Sequence, residues 1–393
     1  MTRRAAALAA GLVAAIALAG LAPVVRAAPP AGRRPARRRV ASHAGRAVAD
    51  PLPDRLTDEA FWALSQELSE ADGEFRSDNL VSNEIWFQYT LDDLLARSRK
   101  GAVYLGVGPE QNFTYIAALE PRMVFITDIR RGNLHTQLMY KALFELSNDR
   151  AEFVSRLFTK PRPASLTRDS SAQEIFDAYA QVDTSGEAAF KQNSQDILDL
   201  LTKTHHIPLS ERDQRAIIDN VYYYFYWYGP PLTYNSSSGR GFGRSNMASY
   251  YDLMTATDQR GAARSFLASD AAFRTLKRLE ERNLVVPVVG NFAGPKALRS
   301  VGRYIRDHGS TVSAFYLSNV EQYLNQQGVW RAFCANVATM PLDERSTFIR
   351  SSQNRSFGGG GGGLVNSLGG MAAETKGCGP SVPVGGPGSP PGR

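Results

Sequence analysis

The chain has 393 residues, 43% of them hydrophobic and 10% aromatic, with a formal net charge of +7. That composition excludes a disordered or fibrous protein and is long enough for a large core. The charge misleads as a whole: residues 1–46 carry nine arginines and no acids, so the remainder is close to neutral and lacks the clustered basic surface that nucleic-acid binding needs.

In chain order, residues 1–28 read as a signal peptide. Arg3 and Arg4 precede an apolar stretch from Ala5 to Ala22, and Val25-Arg26-Ala27 offers a small-x-small cleavage site. Export to the periplasm or the outside is therefore expected, with cleavage or retention of the leader left open. Residues 29–50 are rich in Ala, Pro and Arg, a disordered basic linker suited to contact with envelope polymers or anionic lipid. Residues 51–356 are expected to form the folded domain. Residues 357–393 include Gly358 to Gly363 and end in a Pro/Gly run, which predicts a disordered tail.

Within the domain, Thr57 is a helix N-cap candidate, followed by Phe61, Leu64 and Leu68 at helical spacing. The stretch from Phe75 to Asn83 is polar and irregular, and a helix is expected over Ile85–Arg97. Ala102 to Leu105 then forms an apolar run entering Gly106-Val107-Gly108, as a buried parallel strand does. A helix over Gln111–Leu119 and a strand over Met123–Asp128 follow. Strand, glycine turn, helix, strand and acid make the first half of a Rossmann-type unit. Asp128 stands 22 residues after Gly106, near the spacing at which an acid holds a ribose. The third glycine is absent, and Pro109 and Glu110 suit a smaller, less anionic ligand than a dinucleotide.

From Gly132 to Phe158 the pattern is helical, with His135 read as a surface or packing residue. A polar connection over 159–185 precedes helices near 188–202 and 211–226. The run from Tyr222 to Tyr228 is densely aromatic and reads mainly as core, with a planar or sugar substrate as the functional alternative. Residues 233–248 look like a lid loop. A helix over about Gly261–Glu281 leads into a buried strand from Leu284 to Gly290, a helix to about Arg306, and a strand over Thr311–Leu317. The fold class expected is α/β: a Rossmann-like, mostly parallel sheet with helices on both faces. A helical insertion at about 133–282 separates the second strand from the C-terminal strands.

Ligands of open α/β sheets sit at the carboxyl ends of strands. Those ends supply Gly106, Gly108, Glu110, Gln111 and Asn112, then Asp128, Ile129 and Arg130, then Asn291 and Phe292. They are the candidate residues for a small-molecule cofactor, with Ser318–Glu321 at a fourth strand end. No catalytic residue stands out. Cys334 and Cys378 belong to no CxxC or Cys/His cluster, so no metal is expected, and whether they pair stays open.

At Gly106-x-Gly108 and Asp128 the chain resembles class I S-adenosylmethionine-dependent methyltransferases. The runs Leu105-Gly106-Val107-Gly108-Pro109-Glu110-Gln111-Asn112-Phe113 and Ala314-Phe315-Tyr316-Leu317-Ser318-Asn319-Val320-Glu321 also resemble an uncharacterised bacterial family over roughly residues 55–350. The methyltransferase resemblance implies S-adenosylmethionine as cofactor, approached by Gly106 and Gly108, its ribose held by Asp128, with Asn291 near the reacting methyl. It departs from the pattern at Tyr104-Leu105, where the usual acid before the first glycine is missing. A non-catalytic envelope-binding protein on the same scaffold is the alternative. A hydrolase is a third reading, without a G-x-S-x-G elbow or an H-E-x-x-H helix to support it.

Overall fold

The computed structural model describes residues 51–234, 236–238, 247–353 and 364–378. The signal-peptide and linker expectations for 1–50, and most of the 233–248 lid loop, lie outside them. Six strands make one sheet: β1 (Val103–Gly106), β2 (Met123–Asp128), β3 (Val285–Val289), β4 (Val312–Ser318), β5 (Thr347–Gln353) and β6 (Leu364–Gly370). Their order is β3-β2-β1-β4-β5-β6, with every pair parallel except β5 and β6. β1, β2 and β3 are buried at every position, which is why they read as unbroken apolar runs rather than alternating ones. The chain leaves β1 in one direction to β2 and β3, and returns on the other side to β4 and β5. The crevice of such a sheet opens where that order reverses, between β1 and β4.

β3 is an edge strand, which is why Pro287 is tolerated in it. Its outer side is covered by α1 (Asp58–Leu68) and the residues just after it. Ser65 Oγ donates to the Pro287 carbonyl at 2.6 Å, and Val289 N–H donates to Ser69 Oγ at 2.9 Å. After α2 (Leu91–Arg97), the crossover from β1 to β2 is α3 (Gln111–Leu119). Among the described residues between β2 and β3 there are helices, loops and two isolated bridges, Thr233 with Ser249 and Thr257 with Ala263. α4 (Arg131–Leu146) leads, followed by α5 (Arg150–Phe158), α6 (Ala172–Ala180), α7 (Glu187–Asp199), α8 (Glu211–Ile217), α9 (Tyr223–Tyr228), α10 (Tyr250–Thr255) and α11 (Asp270–Glu281). The remaining helices are α12 (Ala297–Asp307), α13 (Val320–Gln326), α14 (Trp330–Val337) and α15 (Met371–Thr375).

Two expectations inside the insertion need correction. The polar connection 159–185 contains α6, whose start is fixed by a full capping box between Ser171 and Glu174. The helix expected from Gly261 begins at Asp270, because Ser269 caps it there and Asp258 Oδ1 holds a turn by accepting from the N–H groups of Arg260 and Ala262.

The tail expectation is corrected as well, over 364–378. β6 pairs with β5 along seven residues, Met371 is fully buried, and Cys378 forms a disulfide with Cys334 of α14. A composition average over the glycine-rich stretch hides Leu364, Leu368 and Met371, which pack on the sheet edge. Among the described residues no helix is long and apolar enough to cross a membrane.

A half-buried charge cluster ties α1, α4 and the turn after α7 together. His205 Nδ1 meets Asp58 Oδ1 at 2.7 Å and its Nε2 meets Glu145 Oε2 at 2.8 Å. Lys141, on the same cluster, bonds Glu145 at 2.7 Å and the Glu280 carbonyl at 2.6 Å. The bond to Glu145 holds the His205 pKa above its ordinary value, against the opposing effects of burial and Lys141. A histidine with a raised folded pKa gives stability that is complete below the unfolded value near pH ~6.5 and is lost as pH rises through the folded value. Urea midpoints should therefore fall on going from about pH 6.5 into the alkaline range, and His205→Gln should flatten that slope. An unchanged slope in the variant would show that the cluster does not govern it.

Candidate functional site

The carboxyl ends of the strands are covered by the protein's own residues 69–84, which run from the end of α1 across the sheet edge. Glu70 comes first. Its carboxylate accepts from the backbone N–H groups of Asn291 (3.1 Å), Lys296 (2.8 Å) and Ala297 (2.8 Å). It thereby occupies the start of α12, where an anionic ligand would be favoured. Gly73 N–H donates to the Ile129 carbonyl at 2.9 Å, and Arg130 Nη1 donates to the Asp78 carbonyl at 2.5 Å. Ser82 N–H donates to Glu110 Oε1 at 3.1 Å.

Glu84 ends the strap, fully buried, at the tips of β4, β5 and β6. Its carboxylate accepts from Gln111 Nε2 (2.8 Å), Tyr316 OH (2.9 Å) and Asn366 Nδ2 (2.8 Å), and from the hydroxyls of Ser318 and Ser351. Five donors on one carboxylate is the arrangement expected of a receptor for an anion, and here the anion is a side chain of the same chain.

The residues singled out from the sequence are brought to this edge, but most bond inward. A Cβ on Gly106 would stand 1.8 Å from Asn112 Oδ1, so this glycine makes room for Asn112 rather than for a ligand. Asn112 closes the loop itself, donating to the carbonyls of Val107 (2.9 Å) and Pro109 (2.8 Å) and accepting from Tyr104 OH (3.0 Å). Gly108 differs: its φ of +75° requires glycine, and a Cβ there would meet open space. Glu110 is buried, its Oε2 has no hydrogen-bond partner, and burial pushes its pKa up to about 7. Gln111 is held by Ser82 and Glu84.

Asp128 Oδ1 accepts from Arg130 N–H at 2.9 Å and faces Arg130 Nε at 3.4 Å. Burial raises its pKa against the pull of that arginine. Ile129 lies under Gly73, and Asn291 Oδ1 accepts from Ala293 N–H at 2.9 Å. Phe292 stacks on Phe333, with ring centres 5.9 Å apart, and is part of the core.

S-adenosylmethionine does not fit this edge. Asp128, the acid expected to hold a ribose, is engaged by Arg130, the space beside Gly106 is filled by Asn112, and the strap brings carboxylates to the strand ends, Glu70 after β3 and Glu84 beside β4. Among the described residues no group of three or more His, Cys, Asp or Glu side chains is placed to hold a metal ion.

One open cavity, of about 650 Å³, lies beside the end of β2, between the start of α4 and α8. Asp213 organises it. Its carboxylate accepts from Arg131 Nε (2.7 Å) and Nη2 (3.1 Å), from Ser210 Oγ (2.7 Å) and from His135 Nε2 (2.8 Å). The Arg131 guanidinium, outweighing burial, holds the Asp213 carboxyl far below the usual range. That carboxylate has no proton to give, so His135 Nε2 carries one and Nδ1 is the acceptor. Burial lowers the His135 pKa despite Asp213, so the ring is neutral near pH 7. Ser210 donates to Asp213 and not to His135, so among the described residues no hydroxyl nucleophile is seen paired with the imidazole. The arrangement offers hydrogen bonds to a ligand without an evident reacting group.

Sequence reasoning missed Glu70, Glu84, Arg131 and Asp213, and took His135 for a surface or packing residue. Nothing in a polar irregular stretch marks it as the cover of strand ends, such as those at Asn291 and Tyr316, far away in the chain. No curated protein matches the chain. The family described as "Domain of unknown function (DUF7790)" matches residues 79–366, which span Glu84, β1 to β5, the start of β6 and the whole helical insertion. The chain belongs to that family.

Proposed function

We propose that this is a non-catalytic binding protein of the cell envelope, built on a Rossmann-like frame whose cofactor crevice is closed by its own strap. The carrying observation is that residues 69–84 take the polar groups at the strand ends, Glu70 at β3 and Glu84 at β4 and β5. The strand order and its reversal beside β1 support the Rossmann-like reading. The signal-like leader and basic linker support the envelope location, and a disulfide between Cys334 and Cys378 suits an oxidising compartment. The methyltransferase reading is less well supported, because Arg130 already engages Asp128 Oδ1 and Asn112 fills the space beside Gly106.

Calorimetric titration of the full chain with S-adenosylmethionine and S-adenosylhomocysteine should give no binding heat. Micromolar binding that disappears in Asp128→Ala would overturn the proposal in favour of a cofactor-binding enzyme. Recovery of the native protein from the cytosol alone would remove the envelope assignment.

A further inference from the structure

We propose that the cavity beside β2, together with the exposed aromatic face that continues from it, is a binding site for a neutral oligosaccharide. The inference deepens the binding-protein reading and rests on it. Three features of the site converge on this class of ligand.

The first is charge balance. Arg131, Arg212 and Arg215 line the cavity against Asp72, Asp213 and Asp219. Asp213 and Arg131 neutralise each other directly, Asp72 Oδ1 accepts from Arg131 N–H at 2.7 Å, and His135 is uncharged. A strongly anionic or cationic ligand gains little net attraction there. A polyhydroxylated one, donating and accepting through the same groups, meets carboxylate, guanidinium, amide and imidazole edges that each present polar atoms.

The second is the face that leads out of the cavity. α8, the π-helical turn Ile218–Tyr222 and α9 form one continuous helical run. Its exposed positions include Arg212, Arg215, Asp219, Asn220, Tyr223 and Trp227, which recur at the spacing of one helix face. The polar cavity wall and the aromatic rings are thus two parts of one surface. From Asn220 to Trp227 the helical rise is about 10 Å, enough for more than one sugar ring.

The third is the aromatic ledge itself. Tyr223 and Trp227 are 37% and 58% exposed, the large hydrophobic side chains that the described residues leave in solvent. Their rings stack at 5.8 Å with planes 21° apart, which holds the more exposed Trp227 ring in a fixed orientation at the surface. Exposed, pre-stacked aromatics mark a binding surface. A pyranose ring can lay its C–H face on them while its hydroxyls reach Asn220 and Asp219.

The test is titration of the full chain with maltohexaose, chitohexaose and xylohexaose, followed by calorimetry and by tryptophan emission. Binding of at least one is expected, with a change in Trp227 emission. Trp227→Ala should weaken it at least tenfold and Asp219→Ala at least fivefold, while Lys100→Ala, on an exposed ion pair elsewhere, leaves it unchanged. All three substitutions are at exposed positions, so loss of the fold does not confound them. Absence of binding by all three sugars at millimolar concentration overturns the inference, as does binding indifferent to both Trp227→Ala and Asp219→Ala. Inorganic phosphate bound in the cavity with micromolar affinity would overturn it as well. A failed sugar titration with no heat from S-adenosylmethionine sinks this inference alone, whereas cofactor binding sinks the reading beneath it.

Discussion

Replacing Glu84 by alanine is expected to lower the unfolding free energy by about 3–5 kcal/mol, the largest single-residue effect outside the apolar core. The reason is the number of groups that lose their acceptor. Gln111, Tyr316, Ser318, Ser351 and Asn366 all donate to this carboxylate, and all but Ser318 are buried. Each buried donor left unsatisfied costs about 1–3 kcal/mol, and water entering the space relieves part of the sum. Glu84→Gln keeps the shape but turns one acceptor into a donor facing other donors, so it should fall between wild type and the alanine variant. Urea unfolding at neutral pH reads both. A loss below about 1 kcal/mol in Glu84→Ala, within the range of ordinary surface changes, would show that the strap lies on the crevice without anchoring the fold.

The second large effect concerns the C-terminal segment. Cys334 and Cys378 are 44 residues apart in the chain, and closing a loop of that size stabilises a folded protein by about 2–4 kcal/mol. Cys334→Ser combined with Cys378→Ser should lose that amount, and dithiothreitol should lower the melting temperature of the wild type but not of the double variant. Proteolysis should then cut first after β6, where the burial of Met371 and the Arg350–Glu374 ion pair are left to hold α15. The bond also acts at a distance. It holds α15, which follows β6, against α14, and β6 carries the Asn366 that bonds Glu84. Effects of the two changes should therefore be less than additive, as expected for sites that share a network. An unchanged melting temperature under reduction would mean that the bridge does not form in solution or that β6 docks without it.

The strands and their glycine turn were legible from local pattern, because a parallel strand buried on both sides is a continuous apolar run. Val103–Gly106, Met123–Asp128 and Val285–Val289 stand within a residue or two of where the apolar runs end. α6 was read as part of a polar connection, because its polar surroundings concealed the capping box of Ser171 and Glu174. β6 was not: it is a glycine-bounded strand held by pairing with β5 and by a disulfide, neither of which leaves a local signature.

The candidate site divides along the same line. Gly106, Gly108 and Asp128 are correctly brought to one sheet edge, since strand ends and loop lengths place them there. What they bond to depends on other parts of the chain. Asn112 fills the space beside Gly106, Arg130 engages Asp128, and Glu70 and Glu84 arrive from a polar segment with no periodicity. The same holds for the cavity, where His135 and Asp213 are 78 residues apart and meet only because α8 packs against α4.

By itself the sequence determined the α/β class, the position of β1 to β4 and the residues that line their ends, because these follow from periodicity and turn chemistry within short windows; the fifth parallel strand, β5, was not foreseen. Only the tertiary structure decided that the crevice is occupied from within and that the open site lies beside it. Those outcomes depend on which distant side chain satisfies a given buried polar group, and hydrogen-bond satisfaction is settled by packing, not by local spacing.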